Sequence, residues 1–406
     1  MSNVNYPLFS VIGIEIEYML VDKHTLNIQP KSDRILTDLA GKLVNEAMIG
    51  EIAVSNELVM HVLELKNSRP RSLNEPIVDH FQQAIHALQP FLQQYDLLFM
   101  PSAAHPWMNP NTETQRWPHG NNAIYQQFDN IFDCRGHGWA NLQSMHVNLP
   151  FANDDEFFQL HSAIRLLLPL LPSLAASSPL LDGQFTPYQD ARLYYYGVNQ
   201  SNIPAISGSI IPEFIRSPQE YHQHILEPMY AAIDPYDPDK ILQFEWLNSR
   251  GAIPKFHCNA IEIRILDSQE CVNADLAIAR LIVAVLKKWL NHSDYLLTHP
   301  CPMEPLKNVY QSSLKQGLNT PITDPELLKQ WQVSSNTKTI RQVLSQLIEQ
   351  VSHELEPSAQ KALETILERG NLSERLMQHL KGQVKPDDLH ALYRKLTHCL
   401  LENEQL

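Results

Sequence analysis

The chain has 406 residues, with 31 Lys plus Arg against 45 Asp plus Glu, a formal net charge of -14 and 44% hydrophobic residues. That acidic balance argues against nonspecific binding to nucleic acid or to an anionic membrane, and the apolar content suffices for a sizeable core, which excludes disorder as the main state. The length suits two or three domains, or one large catalytic domain with an appendage.

The opening residues, MSNVNYPLFS, show neither a basic start nor an apolar run. No stretch approaches the roughly 18 uninterrupted apolar residues of a membrane span. The best, Ala277 to Leu286, contains Arg280. Cys134, Cys258, Cys271, Cys301 and Cys399 are scattered with no C-x-x-C pair, which fits reduced thiols and not a disulfide framework or a zinc site. These features point to a cytoplasmic protein with no membrane and no nucleic-acid partner. The sequence has no G-x-G-x-x-G and no G-x-x-x-x-G-K-[ST], so any nucleotide is held without a Rossmann or P-loop cradle.

Taken in chain order, Phe9 to Val21 alternates as a strand, and alternation puts Glu15 and Glu17 on one face with Ile12, Ile14, Ile16 and Tyr18 on the other. Two adjacent carboxylates repel, so they need solvent, basic partners or divalent cations. An ordinary strand with a wet face explains that pair equally well. In N-E-L-V-M-H-V-L-E-L-K, Glu57 and Glu64 lie seven residues apart, an odd interval that a regular strand would split between faces. If both serve one site, the segment bulges or begins at a turn. Asn74 to Leu92 has helical spacing in Ile77, Phe81, Ile85, Leu88 and Leu92, with Ser72 and Asn74 as caps and Pro76 in the first turn.

Gln143 to Leu149 is the next strand, with His146 and Asn148 opposite Met145, Val147 and Leu149. A lone His is more often a structural residue than a ligand. Asp155 to Leu171 reads as a helix closed by Pro172. Asn259 to Asp267 is a strand with Glu262 and Arg264 on one face, a pattern that usually marks an ion pair, and a helix follows from Asn273 to Leu290. Beyond about Pro305 the pattern is helical: Ile340 to Val351, Ala359 to Leu367, Ser373 to Leu380 and Asp387 to Leu401. The expected division is a catalytic portion over 1–300 and a helical portion over 301–406 that supports the chemistry, covers a cleft or forms a homo-oligomer contact. Joined in one antiparallel sheet, the three polar-faced strands would gather carboxylates, an imidazole, an amide and a guanidinium on one concave surface, which suits hard cations holding a polyphosphate.

These segments resemble the glutamate-cysteine ligase family, in its type 2 branch of bacterial carboxylate-amine ligases and plant enzymes. G-I-E-I-E-Y-M-L-V-D is similar to the family's opening G-x-E-x-E strand, and N-E-L-V-M-H-V-L-E-L to its second acidic segment. M-P-S-A-A-H-P-W resembles the G-x-x-H-P-F turn, and S-M-H-V-N-L-P-F stands where members carry H-V-H-V or Q-V-N-L. L-A-A-S-S-P-L-L-D-G resembles the S-x-S-S-P segment, Tyr188 to Tyr196 the arginine-bearing helix start, and A-I-E-I-R-I-L-D-S-Q the T-V-E-V-R-x-x-D-x-Q strand. The matches keep the family's order over roughly residues 10 to 290.

The resemblance implies an α+β, glutamine-synthetase-like catalytic fold, a curved antiparallel sheet backed by helices. It implies ATP and magnesium as cofactors, with Glu15, Glu17, Glu57, Glu64, His146 and Glu262 as metal ligands. Arg264 would face the transferred phosphoryl group or a substrate carboxylate, Arg192 would anchor substrate or phosphate, and Glu262, Arg264 and Asn148 would contact the nucleotide. Asn148 departs from the H-V-H form, and Ser177 and Ser178 would shape a turn. The implied activity is ATP-dependent ligation of the glutamate side-chain carboxylate to an amine, cysteine first, in glutathione biosynthesis. The alternatives are the same chemistry on another amine, or a catalytically silent binding relative.

Overall fold

The computed structural model describes residues 5–292 and 295–406. The strands are β1 (Gly13–Asp22), β2 (Glu46–Ile49), β3 (Ile52–Asn56), β4 (Val62–Asn67), β5 (Leu97–Met100), β6 (Ser144–Pro150), the short hairpin β7 (Leu180–Leu181) and β8 (Gln184–Phe185), then β9 (Ala252–Lys255) and β10 (Ala260–Asp267). Eight of them form one sheet in the order β2-β3-β4-β1-β6-β10-β9, with β5 joined to β1. Every pairing in it is antiparallel. The fold is α+β, as expected.

β1 is the organising strand. Its Glu15 to Met19 pair with β4, its Gly13 to Ile16 with β6, and its Met19 to Asp22 with β5. Directly paired antiparallel residues share a face. Glu15 therefore stands between Lys66 and His146, Glu17 beside Glu64, and Asn148 between Gly13 and Glu262. A Cβ at Gly13 would sit 3.1 Å from the Asn148 Cβ, so glycine here lets that side chain lie across the strand. The opposite face is fully buried, with Ile14, Ile16, Met145, Val147, Ile261 and Ile263 in the main core.

Two helices depart from expectation. Helix α1 (Ile77–Gln94) starts without a side-chain cap. Ser72 instead closes a turn ahead of it, its N–H donating to Glu75 Oε1 at 3.1 Å. Helix α2 (Asp154–Leu167) is not closed by Pro172. It passes through a 3-10 turn, Leu168–Leu170, into Leu171–Ala175, because both Pro169 and Pro172 fall in first-turn positions where a missing N–H breaks no bond. The stretch Asp154–Ala175 is long and apolar enough to cross a membrane, but 89% of its most apolar window is buried in the core.

Helix α3 (Val272–His292) lies behind the sheet and packs against α4 (Ile340–Val351) and α5 (Pro357–Arg369). Leu306, Tyr310, Trp331, Leu347 and Leu363 share one core with Ile14 and Phe81. The last helix, α6 (Pro386–Glu402), joins a second core with Met19, Val21 and Met100 at the far end of β1. With Leu363 fully buried, Leu363→Ala should cost about 2–5 kcal/mol. Urea denaturation of the full chain should show that loss in a single transition shared by the sheet and the C-terminal helices. Two separate transitions, with only the second displaced, would mean the helical portion folds by itself.

Candidate active site

One cavity of about 880 Å³ opens over the polar face of the sheet, a volume suited to a nucleotide and a small substrate together. Its floor carries Glu15, Glu17, Glu57, Glu64, His146 and Glu262, and its facing wall is aromatic, with Tyr125, Phe128, Trp139, Tyr196, Phe244 and Trp246. Arg192, Arg264 and Lys255 also line it, and among the described residues none after Arg264 does.

The odd spacing of Glu57 and Glu64 is resolved by a turn, the second of the two options. β3 ends at Asn56, the chain reverses, and β4 starts at Val62. Since Ser55 pairs with Glu64 and Asn56 with Leu63, the reversal returns Glu57 to the Glu64 face.

Each floor carboxylate has its own environment. Glu15 Oε2 lies 3.1 Å from His146 Nδ1, and its Oε1 accepts from Asn148 Nδ2 at 3.1 Å. Lys255 Nζ stands 3.6 Å from the same Oε1. Burial pushes the Glu15 carboxyl up, but the His146 hydrogen bond and the Lys255, His146 and Lys66 charges outweigh it and hold the group well below the usual range. Glu17 Oε2 accepts from the Ser144 N–H at 2.7 Å and hydroxyl at 3.1 Å. Glu64 Oε1 accepts from Ser55 Oγ and Lys66 Nζ, both at 3.0 Å. The repulsion between carboxylates shows on Glu57 and Glu64. Burial, then Glu64 and Glu17, push the Glu57 carboxyl well above its ordinary 4.5, and burial, then Glu15, push Glu64 up.

Glu262 is 2% exposed and pairs with Lys255 and Arg264. Arg264 Nε is 2.9 Å from Glu262 Oε1 but misaligned for a hydrogen bond, so the contact is one of charge alone. Arg264 sits where the β10 register against β6 slips between Ile263 and Leu266. A bulge of this kind re-aims a side chain. It keeps Ile265 and Leu266 both buried while Arg264 lines the cavity.

Arg192 is buried in the cavity wall on a short helix, Ala191–Val198. Its Nε donates to Asp267 Oδ1 at 2.5 Å, and its Nη2 has no hydrogen-bond partner among the described residues. Ser177 and Ser178 hold the other oxygen of Asp267, through the Ser177 N–H at 2.8 Å and the Ser178 hydroxyl at 2.9 Å. They do more than shape a turn. The M-P-S-A-A-H-P-W segment stays outside the cavity, with His105 fully buried and its Nε2 2.8 Å from the Leu26 carbonyl oxygen.

Sequence reasoning missed Lys66, Lys255, Ser144 and Asp267. Lys66 was findable, since it stands two residues after Glu64 on the same strand face. Lys255 was not, because β9 is short and gives no alternation to read.

Ligand atoms of Glu15, His146 and Glu262 lie within 4.8 Å of one another, as do those of Glu17, Glu64 and His146. Glu57 joins neither group. On this face five carboxylates meet the permanent cations Lys66, Lys255 and Arg264, so negative charge is in excess, and a hard divalent cation with oxygen ligands fits that excess. A carboxyl whose pKa is higher folded than unfolded contributes stability while protonated, and loses it as pH rises from about 4.5 through the folded value. In EDTA, the Tm should therefore fall as pH is raised above about 4.5, where Glu15 is already ionised. Glu57→Gln should flatten that fall, and magnesium should restore the Tm while releasing protons. An unchanged slope in the variant would contradict the assignment of the repulsion to Glu57.

A family model described as Glutamate-cysteine ligase family 2 (GCS2) matches residues 11–395. A protein of Archaeoglobus fulgidus described only as uncharacterized is 32% identical over 394 residues, covering 97% of this chain and 99% of its own. A Dechloromonas aromatica protein provisionally named glutamate–cysteine ligase 2 is 24% identical over 351 residues, covering 84% and 80%. Among solved structures, the glutamate–cysteine ligase of Francisella tularensis in complex with AMP aligns with a TM-score of 0.64 at 14% identity, over 96% of this chain and 89% of that one. The bifunctional glutathione synthetase of Pasteurella multocida aligns at 0.51 and 14% identity, over 96% and 56%. These structural likenesses establish a shared fold.

Proposed function

The chain belongs to glutamate-cysteine ligase family 2, a family of carboxylate–amine ligases, and from that premise we propose that it joins the side-chain carboxylate of glutamate to an amine at the expense of ATP, with cysteine as the amine and γ-glutamylcysteine as the product. The observation that carries this reading is the set of carboxylates, with His146 among them, gathered on one face of a nucleotide-sized cavity.

Joining a carboxylate to an amine in water requires an activated acyl group. The γ-phosphoryl group of ATP passes to a side-chain oxygen of glutamate and ADP leaves. The amine nitrogen then attacks the acyl carbon, phosphate leaves with that oxygen, and the nitrogen gives up a proton. Glu15, Glu17, Glu64, His146 and Glu262, with Glu57 beside them, are the residues that would hold magnesium. Magnesium held there would supply charge neutralisation of the polyphosphate and of the transferring group. Arg264 lays a planar donor fork toward the phosphoryl group or the substrate carboxylate, a role for which arginine is better shaped than lysine. Asn148, fixed by Glu15, borders the nucleotide with Glu262, and Arg192 anchors the substrate through its unpaired Nη2. Glu57 would take the amine's proton, a reading supported by its lying outside both ligand groups and by its raised carboxyl pKa.

The wall of Tyr125, Phe128, Trp139 and Trp246 favours a second acceptor class, an amine with a flat or apolar group. The test is phosphate release from ATP, magnesium and glutamate against a panel of amines that includes cysteine and hydroxylamine. Hydroxylamine reports the activated acyl group whatever the natural amine, as a γ-glutamyl hydroxamate. Release with hydroxylamine and apolar amines but not with cysteine would replace the acceptor and keep the chemistry.

A further inference from the structure

Arg264 makes one side-chain hydrogen bond among the described residues, from Nη1 to the Asn248 carbonyl oxygen at 3.1 Å, since its Nε is misaligned toward Glu262. The plane of its fork therefore depends on where that carbonyl stands. Asn248 lies in an irregular stretch between the 3-10 turn Glu245–Leu247 and β9, with no ladder of its own to fix it. Its peptide plane is held by the Ser249 N–H, which donates to the Ile206 carbonyl oxygen at 3.0 Å, an oxygen that Arg250 Nη1 also reaches, and by a buried polar cluster outside the cavity. Asn248 Nδ2 donates to Tyr221 Oη at 2.6 Å, and Asn248 Oδ1 accepts from both the Arg250 N–H and Arg250 Nη1 at 3.2 Å.

Arg250 is 3% exposed and held in turn. Its Nε and Nη2 grip the two oxygens of Glu213 at 2.7 Å each, and its Nη1 also reaches the Ala205 and Ile206 carbonyls at 3.3 and 3.4 Å. A bidentate pair of this kind fixes orientation as well as charge. The chain wraps tightly around the guanidinium at Gly208, where φ is +54° and a Cβ would come within 2.9 Å of Arg250 Nη2.

We propose that Arg250 is a positioning residue for Arg264, acting through the Asn248 carbonyl, with Glu213 as the clamp that holds it. The proposal rests on the reading of Arg264 as a group that meets the phosphoryl or substrate carboxylate. Lysine at 250 would keep the charge but lose the fork that spans Glu213, Asn248 and the Ile206 carbonyl, loosening the support of the Asn248 peptide while its backbone bond to Ile206 remains. Arg264 would then keep its charge and lose its aim.

The experiment is a double-mutant cycle on the full chain, read as hydroxamate formation with ATP, magnesium, glutamate and hydroxylamine, with melting temperatures alongside. Arg250→Lys should lower kcat by about tenfold with little change in KM for ATP, and should cost less than about twofold when added to Arg264→Lys. A merely structural role would not produce that dependence. Equal losses in both backgrounds would overturn the proposal. If Arg250→Lys does not fold, Glu213→Gln carries the same cycle, since the Glu213 side chain is 41% exposed and tolerates the change. Its expected loss is about threefold, absent in the Arg264→Lys background. Should Arg264→Lys itself be silent, the reading of Arg264 fails and the positioning role fails with it, an outcome distinct from equal losses.

Discussion

Replacing Glu15 or Glu17 with Gln should lower ATP-dependent turnover by more than about a hundredfold, because each change removes a charge from one of the two groups of converging ligand atoms. The two variants should differ in stability. Glu15 has a depressed carboxyl pKa, so its folded-state contribution is present above the ordinary carboxylate value and is lost as pH falls. Glu15→Gln should therefore lower the Tm at neutral pH by about 2 to 4 °C. Glu17 is held mainly by the Ser144 N–H and hydroxyl, and Gln retains an acceptor oxygen for them. Its Tm should stay close to that of the parent. Near-parental turnover in either variant would remove that residue from the metal assignment.

Arg264→Lys should keep the fold and lose activity by about tenfold to a thousandfold, equivalent to about 1.4 to 4 kcal/mol of transition-state stabilisation. The bland alternative is that Arg264 merely pairs with Glu262. The geometry weakens that alternative, because the 2.9 Å approach of Nε to Oε1 is not aligned to donate. Glu262 also has Lys255 as a second partner. Lysine should then satisfy the charge contact as well as arginine does, leaving the Tm nearly unchanged. Turnover and melting measured on one preparation decide between the two readings, and an active Lys variant would mean the arginine is structural.

Strand periodicity made the three polar-faced strands legible, because each buries a clean run of Ile, Val or Leu on its other face. It also put Glu15, Glu17, His146, Asn148, Glu262 and Arg264 on the correct faces. It could not set the register that places Glu15 between Lys66 and His146, since register is a property of pairing and not of one strand. Nor could it foresee the slip in β10, whose residues alternate through the bulge without a glycine to mark it. The Glu57 and Glu64 interval showed only that the chain must depart from a straight strand. The Asp267 and Arg192 pair was invisible because its partners lie 75 positions apart, and the segments that hold them give no sign of being paired. The C-terminal helices were legible as helices through their apolar spacing, but their packing on α3 depends on long-range contacts that no local pattern encodes.

The proposed chemistry phosphorylates the glutamate carboxylate itself. It is tested most directly by supplying glutamate labelled with ¹⁸O in the side-chain carboxylate, together with ATP, magnesium and hydroxylamine, and examining the released phosphate by mass spectrometry. Transfer of the γ-phosphoryl group to a carboxylate oxygen, followed by loss of phosphate with that oxygen, predicts one ¹⁸O in each phosphate released. Unlabelled phosphate accompanying product formation would contradict it, because the oxygen would then have come from water and the carboxylate would never have carried the phosphoryl group.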